Sequence, residues 1–361
     1  MKKRLLVIAV LLMAAFVCIT VLNGMDTELS PSEPSGSGTA ATDTADIKPS
    51  SKGSPYKFYF ERLTPVEKRV YNAIIEKIYD MPERIAVPKI DGKELDNVFS
   101  ALLFDNPDLF FLGRKCAVET RMWLTYFSVD YIVDKADIAD MRERLDRECE
   151  AFEQTLTDPG NQWRTELEIH DHVIDRCEYH DPEGDLIYSS SYGALVDGRA
   201  ACEGYSKAVK LLLDRAGIEN ALISGVSENG EGSGGAHMWN IVNIGGDYYH
   251  LDCTWDDPVS DDGGKLRMYT YFNLSDEMIS GTHRDFSYDF VCNSTAENYY
   301  IKTGTYFESY SRSSESRLTD IITKSVKNGR YQIQLRFADK KSYDGAVADL
   351  IKGERIYEVL T

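Results

Sequence analysis

The chain has 361 residues, 43% of them hydrophobic, enough to bury a full core without disulfide support. Its 59 acidic side chains against 40 basic ones give a formal net charge of −19, which excludes the basic footprint that a phosphate backbone needs and disfavours anionic membrane surfaces. No nucleic acid is expected as a partner.

Lys2-Lys3-Arg4 precedes an uncharged apolar run from Leu5 to Leu22, the layout of an export signal. The run is close to the length of a spanning helix and no small-x-small cleavage site stands out, so residues 1–24 read as a signal peptide or an N-terminal membrane anchor. Cys18 follows Phe16-Val17, a poor match to lipoprotein processing. Residues 25–54 are rich in Ser, Thr, Gly, Pro and Asp and form a flexible tether that cannot build a core. Basic residues ahead of the apolar run put the remainder outside the cytoplasm, secreted or anchored at the cell surface.

Residues 55–160 read as a mixed α/β region. Thr64-Pro65-Val66-Glu67 is a capping box with Pro at the first helical position, and it opens a helix through Val70, Ile74, Ile75 and Ile78. A second helix is predicted over Glu94 to Leu103, broken by Asp105-Asn106-Pro107-Asp108. Trp123 to Val133 alternates as a strand facing Arg114 to Thr120. Asp137 to Leu156 is an amphipathic helix closed by Pro159-Gly160.

Residues 161–297 hold the chemistry. A helix from Gln162 to Cys177 precedes a polar loop and Tyr192-Gly193-Ala194-Leu195. In Asp197-Gly198-Arg199-Ala200-Ala201-Cys202-Glu203-Gly204-Tyr205-Ser206 a loop delivers Cys202 to a helix whose apolar residues Tyr205, Ala208, Val209, Leu212 and Leu213 recur at three- and four-residue spacing. Unpaired N–H groups and the positive dipole end at such a start favour thiolate over thiol. They also suit an oxyanion. A strand over Ala221 to Val226 and a Gly-rich loop from Glu228 to Gly235 follow; the loop lacks the phosphate-loop pattern.

Two alternating segments, His237 to Ile244 and Asp247 to Thr254, are separated by Gly245-Gly246, a strong hairpin signal. A two-residue loop sets Trp239 opposite Asp252 and makes His237 a diagonal neighbour of Asp252 on the same face, roughly 7–8 Å apart at Cα. A base and its orienting carboxylate are what a cysteine nucleophile needs. With Cys202 packed against that face, the triad is Cys202, His237 and Asp252. Asn240 points away from His237 and is a structural hydrogen-bonder. Tyr269 to Ser275 reads as a strand and turn, Ser275 to Met278 as a short helix, and His283 to Cys292 as polar loop.

Residues 298–361 form a small α/β tail unit: a helix over Tyr306 to Leu318, strands over Gly329 to Phe337 and Arg355 to Leu360, and a helix over Ser342 to Ile351.

Arg199 to Ser206, His237-Met238-Trp239-Asn240 and Tyr248 to Asp257 together resemble the bacterial branch of the transglutaminase-like superfamily, over about residues 165–285; Leu63 to Phe111 resembles the region ahead of this domain in exported members. The resemblance implies an α+β fold with a papain-like core, a helix bearing Cys202 packed on an antiparallel sheet bearing His237 and Asp252, and thioester chemistry on an amide. Its members include cross-linking transglutaminases, proteases and peptide-amidases, and some that have lost activity. Tyr192 is the candidate side-chain oxyanion donor beside the backbone N–H of Cys202; Trp239, Gly204 and Tyr205 line the site, and ordinary packing is the competing role for Tyr192 and Trp239.

No cofactor and no metal is expected. Asp256, Asp257, Asp261 and Asp262 lack EF-hand spacing and read as a solvated acidic loop. His170 and His172, two apart on a helix, face different ways; His170 supports the floor of the site. Cys116, Cys149, Cys177, Cys253 and Cys292 remain if Cys202 stays a thiolate, so at least one cannot pair within the chain. The function expected is an extracytoplasmic acyl-transfer enzyme acting on a protein or peptide, including cell-wall peptide, with hydrolysis favoured over amine transfer. A surface binding or scaffold protein that keeps the fold is the alternative.

Overall fold

The computed structural model describes residues 47–122, 124–181, 184–228, 234–258, 266–286, 290–329 and 333–355. The expected export segment, the tether up to residue 46, Trp123, Asp261, Asp262 and all but the first residue of the expected last strand lie outside the described residues. Among the described residues no helix is long and apolar enough to cross a membrane. Residues 47–54, expected as tether, lie against the body: the Ser50 N–H donates to Asn72 Oδ1 at 2.9 Å and the Ser54 N–H to Asn106 Oδ1 at 3.2 Å.

A turn of helix, α1 (Phe58–Glu61), leads to α2 (Pro65–Ile78), which begins with the expected capping box between Thr64 and Glu67. The next helix, α3 (Gly92–Asp105), starts earlier than its apolar pattern suggests. Asp91 and Glu94 form a second capping box there, with glycine at the first position. Strands β1 (Ile85–Val87), β2 (Leu112–Arg121) and β3 (Leu124–Tyr131) make a small antiparallel sheet in the order β1-β3-β2. The amphipathic helices α4 (Ile138–Glu153) and α5 (Gln162–Arg176) follow as predicted. A two-residue parallel pair, β4 (Glu178–Tyr179) and β5 (Arg199–Ala200), then brackets a 3-10 turn and a π-helical turn and leads straight into α6 (Cys202–Arg215).

The main sheet is built from β6 (Asn220–Glu228), β7 (Gly234–Ile244), β8 (Asp247–Leu251) and β9 (His283–Arg284), antiparallel throughout, in the order β8-β7-β6-β9. Gly245 and Gly246 both adopt positive φ, 67° and 98°, as a tight two-residue turn requires. The register is the one read from the sequence, Asn240 pairing with Leu251 and Ile244 with Asp247. The ladder stops at Leu251 rather than Thr254, because the Asp252 carboxylate turns back to accept the N–H groups of Thr254 and Trp255, curling the chain out of the strand.

Several segments differ from expectation. Tyr269 to Ser275 is a turn with a single bridge from His250 to Leu274, because the Tyr271 N–H is taken by the Asp256 side chain. His283-Arg284, read as loop, is the edge strand β9. A short helix, α7 (Asp276–Ile279), precedes it, capped by Ser275. Another, α8 (Tyr299–Lys302), leads into the tail, where Tyr306–Phe307 is a strand, β10, and the helix α9 (Arg312–Lys327) begins only after the Ser311 N-cap. β11 (Arg336–Phe337) pairs with β10 in parallel, and α10 (Lys340–Ala346) continues into a π-helical turn.

One apolar core runs from Phe60 to Phe272 and includes Tyr205, Val209 and Leu213 of α6 with Val242, Ile244, Tyr249 and Leu251 of the sheet. The opposite face of β7 presents Trp239 and Ile241 to a second cluster with Ile223, Leu274 and Ile279. The tail has its own small core of Phe307, Leu318, Ile322, Ala346 and Leu350. The cysteine-bearing helix therefore packs on the Val242 face of β7, opposite the His237 and Trp239 face on which it was expected. The Ser206 hydroxyl donates to the Met238 carbonyl at 2.9 Å and Asn240 Nδ2 to the Ser206 carbonyl at 3.0 Å, fastening α6 to β7.

Candidate active site

Cys202 is the first residue of α6 and is half-buried. Its N-cap is Ala201, in extended conformation and with no side-chain cap bond, so the cap itself offers the first N–H groups of the helix no side-chain acceptor. Gly204 allows this start to sit deep: a Cβ there would lie 2.6 Å from Ala200 Cβ, 2.7 Å from the Tyr188 carbonyl oxygen and 3.0 Å from that of Ser190. Tyr205 is fully buried and its hydroxyl donates to Asp257 Oδ2 at 2.6 Å, tying the helix to the loop after β8. Both residues thus hold the cysteine loop in place through packing.

His237 and Cys202 meet at the margin of the sheet, three residues past the last β7–β8 pair. His237 Nε2 lies 2.7 Å from Asp252 Oδ2, both residues being buried. Its other nitrogen is not engaged by Asp252, and the ring feels the Cys202 sulfur. Burial alone would pull the imidazole down, but the Asp252 carboxylate and then the Cys202 sulfur raise it to about 10. Asp252 shows the mirror balance. Burial pushes it up, and the charges and hydrogen bonds of His237 and His283 overturn that and hold it well below the usual carboxylate range.

The Trp239 ring lies nearly parallel to His237, centroids 5.8 Å apart and planes at 18°. It is fixed in turn, since its Nε1 donates to His250 Nδ1 at 3.0 Å and His250 Nε2 lies 2.9 Å from Asp276 Oδ1. Burial pulls His250 down from its ordinary value despite Asp276, consistent with a neutral ring that accepts at Nδ1. Trp255 and Tyr271, both half-buried, stand 5.1 Å apart beside His237 and His283.

Tyr192 packs in the core with its ring 5.0 Å from Phe110, and its hydroxyl feels the charge of Arg144 on α4. A different tyrosine, Tyr179 on β4, carries its hydroxyl close enough to Cys202 to feel its charge. It pairs in register with Ala200, two residues before the cysteine, a neighbourhood that sequence spacing does not reveal. His170 is fully buried between Asp256 Oδ2 at 3.2 Å and Asp171 Oδ1 at 3.1 Å; these partners overcome burial and raise it to about 9. With Asp256 accepting the Tyr271 N–H, this group braces the loop behind Asp252.

Among the described residues, two side-chain groups have the composition of metal sites: His237, Asp252 and His283, and His250, Asp276 and Cys292. In the first, both Nε2 atoms point at one carboxylate oxygen, so both carry protons and offer no lone pair. In the second, His250 accepts at Nδ1 and so carries its proton at Nε2 toward Asp276. Neither arrangement fits an ion. None of the described cysteines is paired in a disulfide. Burial pushes Cys116, Cys149 and Cys292 up to about 12, and Cys253 higher than its ordinary value as well.

Residues 150–253 match the family model of the transglutaminase-like superfamily. That segment contains Cys202 and His237 and reaches one residue past Asp252. The chain is also similar to solved structures: a TGase (14% identity, 47% of this chain and 50% of that one, TM-score 0.27), a candidate cysteine protease from Cytophaga hutchinsonii (13%, 43% and 66%, 0.25), and a candidate protease from Parabacteroides distasonis (15%, 43% and 40%, 0.25). It thus spans about half the length of the TGase and less than two thirds of the others. No curated protein matches. The architecture is α+β, a cysteine-bearing helix on a curled antiparallel sheet, and the segment that matches the transglutaminase-like superfamily model contains that helix.

Proposed function

We propose that the chain is an extracytoplasmic thiol acyl-transfer enzyme that cleaves or transfers an amide or isopeptide bond of a protein or peptide through a thioester on Cys202. One observation carries the reading: the buried His237 ring holds the buried Asp252 carboxylate at 2.7 Å and feels the sulfur of Cys202, the first residue of α6. The superfamily fold supports the same class of chemistry, and the basic-then-apolar sequence of residues 1–24 supports the location.

In this reading the proton of the Cys202 thiol rests on His237 as a thiolate–imidazolium pair, in keeping with the raised imidazole, and Sγ attacks the amide carbon. The carbonyl π pair moves onto oxygen, where the first N–H groups of α6, which Ala201 does not cap, receive it. As the C–N bond breaks, His237 returns its proton to the leaving amine. Water then loses a proton to His237 and attacks the thioester, releasing the acid and restoring the thiol. An amine in place of water gives cross-linking by the same steps. Hydrolysis is favoured because water is always present, whereas an amine acceptor needs a site of its own. Asp252 keeps the ring oriented and stabilises the imidazolium.

Incubation of the protein with a peptide library or purified wall fragments, with and without a primary amine, followed by mass analysis, tests substrate and acceptor together. Cleaved or amine-coupled peptides that vanish with Cys202→Ala are expected. An unchanged mixture in both arms contradicts the reading and favours a surface binding or scaffold protein.

A further inference from the structure

Resting on that reading, we propose that His283 is a positioning residue for His237, acting through Asp252. His283 sits on β9, the edge strand at the far side of the sheet from β8, in register with Ser227 of β6. Its Nε2 lies 3.0 Å from Asp252 Oδ2, the same oxygen that His237 holds at 2.7 Å. The other oxygen, Oδ1, accepts the N–H groups of Thr254 and Trp255 at 3.0 and 3.1 Å. A carboxylate has about four lone-pair sites, and here all are used.

The division of labour follows from the geometry. The two backbone bonds hold Oδ1 but leave the carboxylate able to pivot about it. The second bond to Oδ2, from the opposite side of the sheet, fixes the plane and so the direction in which His237 is held. Because an ionised carboxylate only accepts, His283 Nε2 carries its proton, and Nδ1 meets the Thr282 hydroxyl at 2.9 Å. The ring is 1% exposed and walled by Trp239, Trp255 and Tyr271, with centroids 4.8, 4.9 and 5.5 Å away. Both His283 and Asp252 are buried, so loss of the bond leaves a buried carboxylate oxygen under-satisfied.

The test uses the full chain and measures alkylation of Cys202 by iodoacetamide against pH, with the site identified by peptide mass and the fold checked by thermal melting. His283→Gln keeps an N–H donor near the Nε2 position. His283→Asn withdraws it toward Nδ1, and His283→Leu removes it while filling the space. Gln is expected to retain the wild-type profile within about threefold, and Asn and Leu to lose roughly tenfold or more of the near-neutral reactivity, the range of a charge-assisted hydrogen bond. A folded Asn or Leu variant with the wild-type profile overturns the proposal. So does a folded Gln variant as impaired as either; if Leu does not fold, the Gln and Asn pair decides. Wild-type reactivity that is absent near neutral pH, or indifferent to His237→Ala, instead sinks the nucleophile reading itself, and the proposal falls with it.

Discussion

Ala201 stands where helices favour Ser, Thr, Asp or Asn, and its methyl offers the first N–H groups of α6 no side-chain acceptor. This is a local loss of stability at the spot where an oxyanion would need donors. Ala201→Ser is therefore expected to raise stability by about 1 kcal/mol, seen in denaturant unfolding, while lowering turnover of any cleaved peptide. Higher stability with unchanged turnover would show that these N–H groups receive no oxyanion. Asp252→Asn keeps the size of the side chain but removes its charge, and should cut near-neutral alkylation of Cys202 at least tenfold. At this scale the helix start at Cys202 and the contact of His237 with Asp252 were legible, because the apolar spacing after the cysteine and a two-glycine turn fix those neighbourhoods. His283 was not: it lies 31 residues beyond Asp252 in a stretch with no alternation, and its bond exists only because β9 docks on β6.

Among the elements, the β7–β8 hairpin and α6 do most to build the site. The hairpin register could be read because Gly245-Gly246 admits a tight turn with both residues at positive φ. The end of β8 could not, since it depends on Asp252 capturing two backbone N–H groups. The face on which α6 packs was also hidden; Ser206 and Asn240 fasten it opposite to Trp239, and neither hydrogen bond has a sequence signature. Two-residue strands such as β9 and β10 are too short for periodicity to mark, which is why Tyr306 was placed in a helix and His283 in a loop. The tight seat of α6 makes Gly204→Ala a test of this scale. Its methyl would press on Ala200 and the Tyr188 carbonyl, costing about 1–3 kcal/mol in denaturant unfolding and lowering Cys202 reactivity as the helix start shifts. Full stability with full reactivity would show that the close packing does not set the position of the cysteine.

Across the whole molecule, buried ionisable groups make stability depend on pH. Burial raises Asp105 to about 7 and Glu166 to about 8, so the folded chain keeps protons that the unfolded chain loses near pH 4, and their contribution falls as pH rises through those values. His170, about 9, and His237, about 10, hold protons above the unfolded value of about 6.5; their stabilisation is complete below that value and is lost as pH rises toward 10. Asp252, held low, acts in the other direction, contributing above about pH 4 and losing its contribution only as strong acid protonates it. The melting temperature is therefore expected to be higher near pH 5–6 than near pH 9; a rise toward pH 9 would contradict these assignments. The net charge of −19 adds self-repulsion that grows as protons leave. The central claim, that Cys202 works as a nucleophile because His237 takes its proton, is tested most directly by the rate of Cys202 alkylation near neutral pH in the wild type and in His237→Ala. The account predicts rapid modification of Cys202 over the buried thiols in the wild type and a large loss in the variant; equal rates in the two proteins would contradict it.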